Sequence, residues 1–413
     1  MPSAETTSIA PAKVLVVGGS YAGLAATLNL LDLCDGLPPR FAYEKDPQVD
    51  EQKKASVEVT IVDERDGFFH LLGMPNACAS KEYADKAWVK FSEIPALQSS
   101  RINIVQGKVT SIDVQKKIST IQRTQDNKSV QQNYDYLIAA SGIHREWPSA
   151  PTAFDKKGFK VETDRIVEQC ANATDGIVVI GGGAVGIEMA AEIKLIDSNK
   201  KVTLIHSRQK LLSSEPLADL YKDKVLELVH EAGVETVLGS RVKKTEESPS
   251  GTTVTLENGN TLNASVVINA VSKFSPRHPY LPQDALDEEG YVKITPSLNL
   301  PETTPNSKYH FAAGDIVRWT GIKRAGAAMH HGHFVARNVH QHILQQTRGT
   351  TPEYSELTPA EPGMCVAIGK KAAAYSDTYG LQEGEETLKL FFEDDLGFGI
   401  CWRHMGLGDK PRL

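Results

Sequence analysis

Two stretches of the chain share one pattern of apolar and polar positions. Residues 14–17 (Val-Leu-Val-Val) predict a buried parallel strand, a glycine-rich turn follows, and residues 24–33 are apolar with helical spacing. Residues 176–180 predict a second buried strand, which another glycine turn and an apolar helical run over 187–193 follow. The chain therefore contains the same strand–turn–helix unit twice, which predicts an α/β fold.

A glycine turn between strand and helix leaves the N–H groups and positive dipole end of the helix free to bind a phosphate group. The second turn, with Gly181, Gly183 and Gly186, satisfies the G-x-G-x-x-G pattern in full. The first turn departs from it only at its middle position, which is Ser20. One such turn often serves packing alone, but two in the same context predict two dinucleotide sites. The residues of the first turn are Gly18, Gly19, Ser20, Tyr21, Ala22 and Gly23.

The strands that follow the two turns end differently. Residues 57–62 predict a strand that ends in Asp63, where an acid accepts the hydrogen bonds of an adenosine ribose. A charged, proline-containing segment, 35–54, lengthens the usual spacing and is interpreted as an exposed insertion. In the second unit, residues 201–205 are followed by His206, Ser207 and Arg208, with no carboxylate. Arg208 therefore either binds a 2′-phosphate or is simply solvated, and we expect NADPH to be used at least as well as NADH.

The rest of the chain supplies further candidate elements. Residues 102–122 predict antiparallel strands with a turn at 106–107, and residues 125–128 predict a hairpin tip. The strand 136–142 ends on small residues, including Gly142, where backbone passes close to a cofactor. A strand ending at Asp315 aims a carboxylate at the sugar-like chain of a flavin, and the helix 325–345 begins nearby. The last seventy residues predict a small α+β unit.

Composition and charge narrow the function class. A 40% hydrophobic and 23% charged composition is that of an ordinary globular protein, and a net charge of −7 argues against a nucleic-acid partner. No apolar run reaches the roughly 18–20 residues of a membrane span, so stable membrane insertion is not expected. The first twelve residues lack signal-peptide features and position 2 is proline, which excludes N-myristoylation. A cytoplasmic location is expected, with peripheral membrane association and a homodimer left open.

The cysteines exclude one kind of flavin chemistry. Five cysteines are present without C-x-x-C or C-x₄-C spacing, so structural disulfides and a redox-active pair beside a flavin are not expected. Cys78 alone lies near the expected flavin region, and a buried inert thiol is the favoured interpretation.

The quoted motifs resemble the two-dinucleotide-binding flavoprotein family. Within it the chain is most similar to the branch related to apoptosis-inducing factor, which includes ferroptosis suppressors and single-subunit NADH:quinone oxidoreductases. The similarity is strongest over residues 181–194 and 202–207. It implies FAD with NADH or NADPH as cofactors, Glu188 near the nicotinamide and Lys323 beside the flavin ring. It implies FAD contacts at all six residues of the first turn, at Asp63, Asn76 and Asp315, and at the backbone of Val109.

The expected fold class is α/β, with two Rossmann-like domains of glutathione-reductase type and a small α+β C-terminal domain. The predicted FAD-binding domain comprises residues 1–155 and 276–350, and the NAD(P)H-binding domain comprises 156–275. The C-terminal domain comprises 351–413.

Two residue groups allow alternative interpretations. The histidines could suggest a metal, but no carboxylate or cysteine joins them in sequence, so no metal site is predicted. Their positions are 330, 331, 333, 340 and 342. The C-terminal aromatic residues could line a quinone slot, although core packing is favoured. They are Phe391, Phe392, Phe398 and Trp402.

The leading hypothesis is an FAD-dependent NAD(P)H oxidoreductase with a small-molecule electron acceptor, a quinone. One alternative is a dedicated oxidoreductase of a specialised-metabolite pathway. A second, of another class, is an NAD(P)H-sensing flavoprotein that acts through partner binding. Glu188 and Lys323 are the candidate catalytic residues, the former as a carboxylate favoured by the helix dipole. A simple ion pair between these two side chains is the structural alternative.

Overall fold

The computed structural model describes residues 10–40, 48–249, 251–271, 275–276 and 278–408. The elements up to residue 144 are β1 (Ala12–Val17), α1 (Tyr21–Cys34), β2 (Val57–Asp63), β3 (Gly67–Phe69), α2 (Met74–Ala77), α3 (Lys81–Ala87), β4 (Trp88–Lys90), β5 (Ile102–Asp113), β6 (Ile118–Arg123), β7 (Ser129–Asn133), β8 (Tyr136–Ala139) and β9 (Ile143–His144). The middle elements are α4 (Lys156–Ala171), β10 (Ile177–Ile180), α5 (Ala184–Ile196), β11 (Val202–Ile205), α6 (Asp219–Glu231), β12 (Glu235–Val237), β13 (Val242–Ser248), β14 (Gly251–Leu256), β15 (Thr261–Ala264), β16 (Val266–Asn269) and β17 (Ser275–Pro276). The last are β18 (His310–Ala312), α7 (Ala325–Arg348), β19 (Gly363–Ile368), β20 (Lys371–Ser376), β21 (Gly380–Gly384), α8 (Glu385–Phe392) and α9 (Phe398–Met405).

Two parallel sheets carry the two glycine turns. The larger sheet has the strand order β18-β8-β1-β2-β5-β6-β7, and its first five strands run parallel. The second sheet, β12-β11-β10-β16, is parallel throughout. In each sheet the strand before the glycine turn is central, so that the turn lies at the carboxyl edge, where open α/β sheets bind ligands. The predicted pair of strand–turn–helix units is confirmed.

The predicted turn at residues 106–107 is wrong. β5 is continuous, pairing with β2 in its first half and with β6 in its second half. Gly107 lies where the partner changes, and a Cβ there would lie 2.5 Å from Gln122 O. The glycine therefore allows close pairing of strands rather than a reversal of the chain. The hairpin tip expected at 125–128 is confirmed between β6 and β7.

Helix α1 is buried along almost its whole length, between the large sheet and α7. Gly332 in α7 allows the helices to approach, because a Cβ there would lie 2.3 Å from Ala22 O. α7 confirms the helix predicted over 325–345 and continues to Arg348. Its packing on α1 fixes the start of α7 beside the first glycine turn.

The C-terminal unit comprises an antiparallel sheet, β19-β20-β21, followed by α8 and α9, as predicted. Among the described helices, none combines the length and the apolar character that crossing a bilayer requires. The domain limits given above stay a prediction.

The insertion is anchored at its start. The Arg40 guanidinium forms an ion pair with Asp32 at 2.7 Å and donates a hydrogen bond to Gly406 O. This contact links the insertion to the end of α9, so residues 37–40 are only partly exposed, whereas residues 48, 49 and 51–53 are exposed as expected. Residues 41–47 of the insertion lie outside the described residues.

Candidate active site

One cleft with a volume of about 2030 Å³ runs along both glycine turns and reaches the C-terminal unit. Of the predicted site residues, those that line it are Gly18, Gly19, Ser20, Tyr21, Ala22, Asp63, Gly142, Gly181, Gly183, Glu188, Asp315 and Lys323. Those outside its lining are Gly23, Asn76, Val109, Gly186 and Arg208. The fold thus brings both turns and both candidate catalytic residues to one cavity.

The first turn is held by close backbone contacts. Gly18 has φ +110°, and a Cβ there would lie 2.3 Å from Ala140 O. A Cβ on Gly23 would lie 1.8 Å from Gly18 O, so glycine is required although Gly23 does not line the cleft. The N–H of Gly19 donates to Asp63 Oδ2 at 2.6 Å. Asp63 therefore lies at the turn, as the ribose prediction requires, and each of its oxygens retains accepting capacity.

The second turn repeats these contacts. Gly181 has φ +120°, and a Cβ on Gly186 would lie 1.9 Å from Gly181 O. No atom lies within 4 Å of a Cβ built on Gly183, which faces open cleft. The N–H of Gly182 donates to Nδ1 of His206 at 3.1 Å. Bare backbone next to open space at the start of α5 suits a pyrophosphate, so the geometry fits a dinucleotide at each turn.

His70 connects the first turn to the C-terminal unit. The Tyr21 hydroxyl donates to His70 Nδ1 at 3.0 Å, and His70 Nε2–H donates to Leu396 O at 3.0 Å. The Tyr83 hydroxyl donates to the neighbouring Asp395 O at 2.7 Å. Sequence reasoning missed His70, because a lone histidine after a short strand carries no motif.

The flavin-side charges meet around Asp315. Its carboxylate forms an ion pair with Arg145 at 3.0 Å, a residue that the sequence analysis did not single out. Lys323 Nζ donates to Val317 O at 2.8 Å and lies 4.5 Å from the centroid of the Tyr291 ring. Burial lowers the pKa of Lys323 below its ordinary value, while Asp315 opposes that shift. Within the described residues, no ion pair joins Lys323 to Glu188. The alternative that these two side chains form a simple ion pair is therefore wrong.

The expected position of Glu188 on the first turn of the helix is wrong, and its surroundings disfavour the charged carboxylate. α5 begins at Ala184, which places Glu188 beyond the first turn, where the dipole of the helix weakens. Burial raises the pKa of Glu188 to about 8, and the Ala367 N–H donates to Oε1 at 3.3 Å. At pH 7 the side chain is therefore a neutral acid that holds a proton at the cleft.

The thiols of the described cysteines are protonated and unreactive at neutral pH, because burial raises their pKa values. Burial raises the pKa of Cys170 to about 11 and that of Cys34 and Cys401 to about 12, and it raises the pKa of Cys78 and Cys365 further. A thiol attacks a disulfide only as the thiolate. The interpretation of Cys78 as buried and inert is confirmed, since its side chain has no exposed surface.

Three exposed large side chains of the C-terminal unit line the cleft. They are Tyr379, Leu390 and Phe391, which are 77%, 67% and 44% exposed. Phe392, Phe398 and Trp402, in contrast, are buried in hydrophobic clusters, as the packing interpretation held. Of the candidate quinone-slot residues, only Phe391 is exposed at the cleft.

The histidines of α7 make structural contacts. His331 Nδ1 accepts a hydrogen bond from Gly314 N–H at 3.3 Å, and His340 Nε2–H donates to Lys53 O at 2.7 Å. The His330 ring packs on Phe334 with centroids 4.3 Å apart. In the part of the chain that the structure describes, no three His, Cys, Asp or Glu side chains are grouped to hold a metal ion.

Arg208 is exposed and lies outside the cleft lining, whereas Arg241 and Lys244 line it. Arg208 is the cation nearest in sequence to the end of β11, and for that reason it was the expected phosphate ligand. Arg241 is brought there by backbone pairing, because Ser240 N–H donates to His206 O at 3.0 Å. No sequence motif signals this pairing.

Comparison with known proteins gives consistent matches. A family model described as pyridine nucleotide-disulphide oxidoreductase matches residues 12–332. The sequence is 53% identical to oxidoreductase OXR1 of Ajellomyces capsulatus, covering 100% of this chain and 92% of that protein. It is 26% identical to ferroptosis suppressor protein 1 of Mus musculus, covering 95% of each. The fold is similar to that of NDH2 from Plasmodium falciparum in complex with NADH, with a TM-score of 0.68 and 13% identity over 96% of this chain and 97% of that one.

Proposed function

Because the chain belongs to the pyridine nucleotide-disulphide oxidoreductase family, we propose that it moves two electrons from NADH or NADPH, by way of FAD, to a quinone. Family membership confirms the fold class and the cofactors expected from the sequence, FAD with NADH or NADPH. The resemblance to the ferroptosis-suppressor branch is confirmed by relatives of that name. The chain is thus an oxidoreductase, and the acceptor is the part proposed.

The observation that carries the proposal is a single cleft that joins two glycine turns to exposed apolar side chains. The turns suit two dinucleotides, while Tyr379, Leu390 and Phe391 offer apolar surface at the end of the cleft that the C-terminal unit lines. Exposed apolar side chains gathered at a cavity typically mark a ligand or interaction site. A flat apolar acceptor such as a quinone fits this end better than a charged metabolite does.

The thiols argue against a disulfide as the acceptor. Reduction of a disulfide by this family's chemistry needs a cysteine pair that can form a thiolate, and burial keeps the described thiols protonated. A quinone needs no thiol, because it accepts electrons directly from a reduced flavin.

Reduction of a quinone to a hydroquinone takes two electrons and two protons. FAD, when bound, supplies the means to accept a hydride and release its electrons to the acceptor. The hydride of NAD(P)H carries both electrons and one proton, and a neutral Glu188 holds a second proton at the cleft. Lys323 places positive charge near Asp315 and the start of α7, where negative charge is expected to develop. The glycine turns would hold the two dinucleotides and so orient the reactants.

The proposal is tested with purified, FAD-loaded protein and a panel of acceptors. We expect the yellow protein to bleach anaerobically with NAD(P)H, and a benzoquinone or naphthoquinone to restore the oxidised spectrum rapidly. A disulfide such as lipoamide should leave the reduced spectrum unchanged. Stopped-flow absorbance measures both steps separately.

Slow reoxidation by every quinone and dye would contradict the quinone proposal and would favour a dedicated metabolite as substrate. A long-lived reduced complex without turnover would favour a signalling role instead. Protein that binds no FAD would remove the oxidoreductase proposal altogether.

Glu188→Gln should slow reoxidation by a quinone about a hundredfold at pH 7, the usual contribution of a general acid. In the wild type the proton is present below pH 8 and is lost as the pH rises through about 8, so the rate should fall there. The variant cannot titrate, and its profile should be flat across this range. Reoxidation rates between pH 6 and 9.5 measure both effects.

Glu192→Gln is the matched control, one helical turn further along α5. Burial raises the pKa of Glu192 to about 7, but this side chain lies outside the cleft lining. The Glu192→Gln variant should keep the wild-type rate of reoxidation and its dependence on pH. A Glu188→Gln profile that still falls near pH 8 would rule out Glu188 as the proton donor.

A further inference from the structure

The two glycine turns are built alike, but a different type of side chain accepts the hydrogen bond from the second glycine of each turn. In the first unit Gly19 N–H donates to the carboxylate of Asp63, the last residue of β2. In the second unit Gly182 N–H donates to the imidazole of His206, the residue directly after β11. β2 and β11 each pair in parallel with the strand before their turn. His206 thus occupies the place that an acid holds in the first unit.

The hydrogen bonds of His206 define its protonation. Nδ1 accepts from Gly182 N–H, so it carries no proton, and Nε2–H donates to Ser213 Oγ at 3.0 Å. The ring is therefore neutral, with its proton on Nε2. Burial and the nearby Arg208 lower the pKa of His206, which agrees with this assignment.

A neutral ring at this position changes what the site can bind. An acid there accepts hydrogen bonds from the adenosine ribose of NADH, and its charge repels the 2′-phosphate of NADPH. His206 has no negative charge, and both its ring nitrogens are already engaged. The site therefore lacks the feature that selects against a 2′-phosphate.

Besides Arg208, backbone pairing brings the segment that carries Arg241 to the same position. Ser240 N–H donates to His206 O, and Gly239 N–H donates to Arg208 O, so the segment 239–241 runs along the end of β11. Arg241 lines the cleft, and its closest ion-pair distance, to Glu257, is 3.7 Å. Its side chain is 64% exposed and is not committed to a short salt bridge. An arginine in this place can bind a phosphate through two hydrogen bonds.

We infer that His206 and Arg241 set the coenzyme choice of this chain toward NADPH. His206 replaces the acid with a neutral acceptor for Gly182 N–H, and Arg241 binds the 2′-phosphate in place of Arg208. This inference rests on the oxidoreductase function proposed above only for the identity of the two coenzymes.

The test is calorimetric titration of the FAD-loaded protein with NADP⁺ and NAD⁺, which requires no turnover. Arg241→Ala should raise the Kd for NADP⁺ about tenfold, as loss of a charge-assisted hydrogen bond does, and should leave the Kd for NAD⁺ within about twofold. Arg208→Ala, which removes the exposed arginine near His206, should raise the Kd for NADP⁺ less than Arg241→Ala does. His206→Asp should reverse the preference, whereas His206→Asn, a neutral acceptor, should retain it.

Three results would overturn the inference. They are a wild type that prefers NAD⁺, a loss of NADP⁺ affinity in Arg208→Ala but not in Arg241→Ala, and equal effects of His206→Asp and His206→Asn. Thermal unfolding of each variant separates a folding defect from altered selectivity, and the Kd values of Arg241→Ala still test the inference if His206→Asp unfolds. Selective NADP⁺ binding without quinone reduction would refute the proposed acceptor while leaving this inference intact.

Discussion

Gly23→Ala protein should be purified colourless, whereas Gly186→Ala protein should be purified yellow but fail to be reduced by NADPH. The two glycines are equivalent in the two units, and an added Cβ would lie 1.8 Å from Gly18 O or 1.9 Å from Gly181 O. Both contacts are with backbone, so the turn itself must move, at a cost of about 1–3 kcal/mol or more. Each substitution should therefore abolish binding at its own turn only. Flavin content and anaerobic absorbance spectra measure the two outcomes.

Gly183→Ala is the control for this pair. Its Cβ has no neighbour within 4 Å, so the fold and the flavin content should match the wild type. The methyl group would still occupy the open cleft at the second turn, so the Kd for NADPH should rise. Full flavin occupancy in Gly23→Ala would show that the first turn does not bind the flavin pyrophosphate.

Lys323→Met should retain FAD and slow anaerobic reduction by NADPH about a hundredfold, the effect of losing one preorganised charge. Burial already disfavours the charged lysine, and the Val317 carbonyl and the Tyr291 ring hold its Nζ in place. A half-buried cation held in this way adds little to the free energy of folding, but it can stabilise negative charge that develops nearby. Stopped-flow traces of flavin bleaching give the rate constant.

Lys293→Met, which removes an exposed lysine, should leave the rate constant unchanged. Lys323→Arg should recover part of the rate, because it restores the charge. Lys323 has a structural role only if Lys323→Met lowers the melting temperature while NADPH still reduces the flavin of the folded protein at the wild-type rate.

The features that the sequence predicted well are local. Strand, turn and helix follow one another within twenty residues in each unit, so apolar spacing and glycine positions were sufficient to find both turns and Asp63. The close-approach role of Gly23 and Gly186 follows from the same spacing.

The features that the sequence did not predict depend on pairing between distant segments. Arg241 reaches the end of β11 because residues 239–240 pair with residues 206 and 208, and distance in sequence favoured Arg208 instead. The neutral state of Glu188 follows from burial next to β19, nearly 180 residues away. The absence of an acid after β11 was visible, but the replacement of that acid by His206 became apparent only from the hydrogen bond to Gly182.

The strand order of the larger sheet has a consequence for synthesis on the ribosome. β1 begins at Ala12, but the edge strand β18 and the helix α7, which covers α1, begin only at His310 and Ala325. The whole second parallel sheet lies between β1 and β18 in sequence. It can therefore form before the larger sheet gains its edge strand β18 and before α7 covers α1. Domains fold as units during translation, and the apolar surface of α1 is exposed until α7 emerges. We therefore expect nascent chains stalled near residue 300 to protect the β10–β16 sheet from protease while they retain no flavin and depend on chaperones.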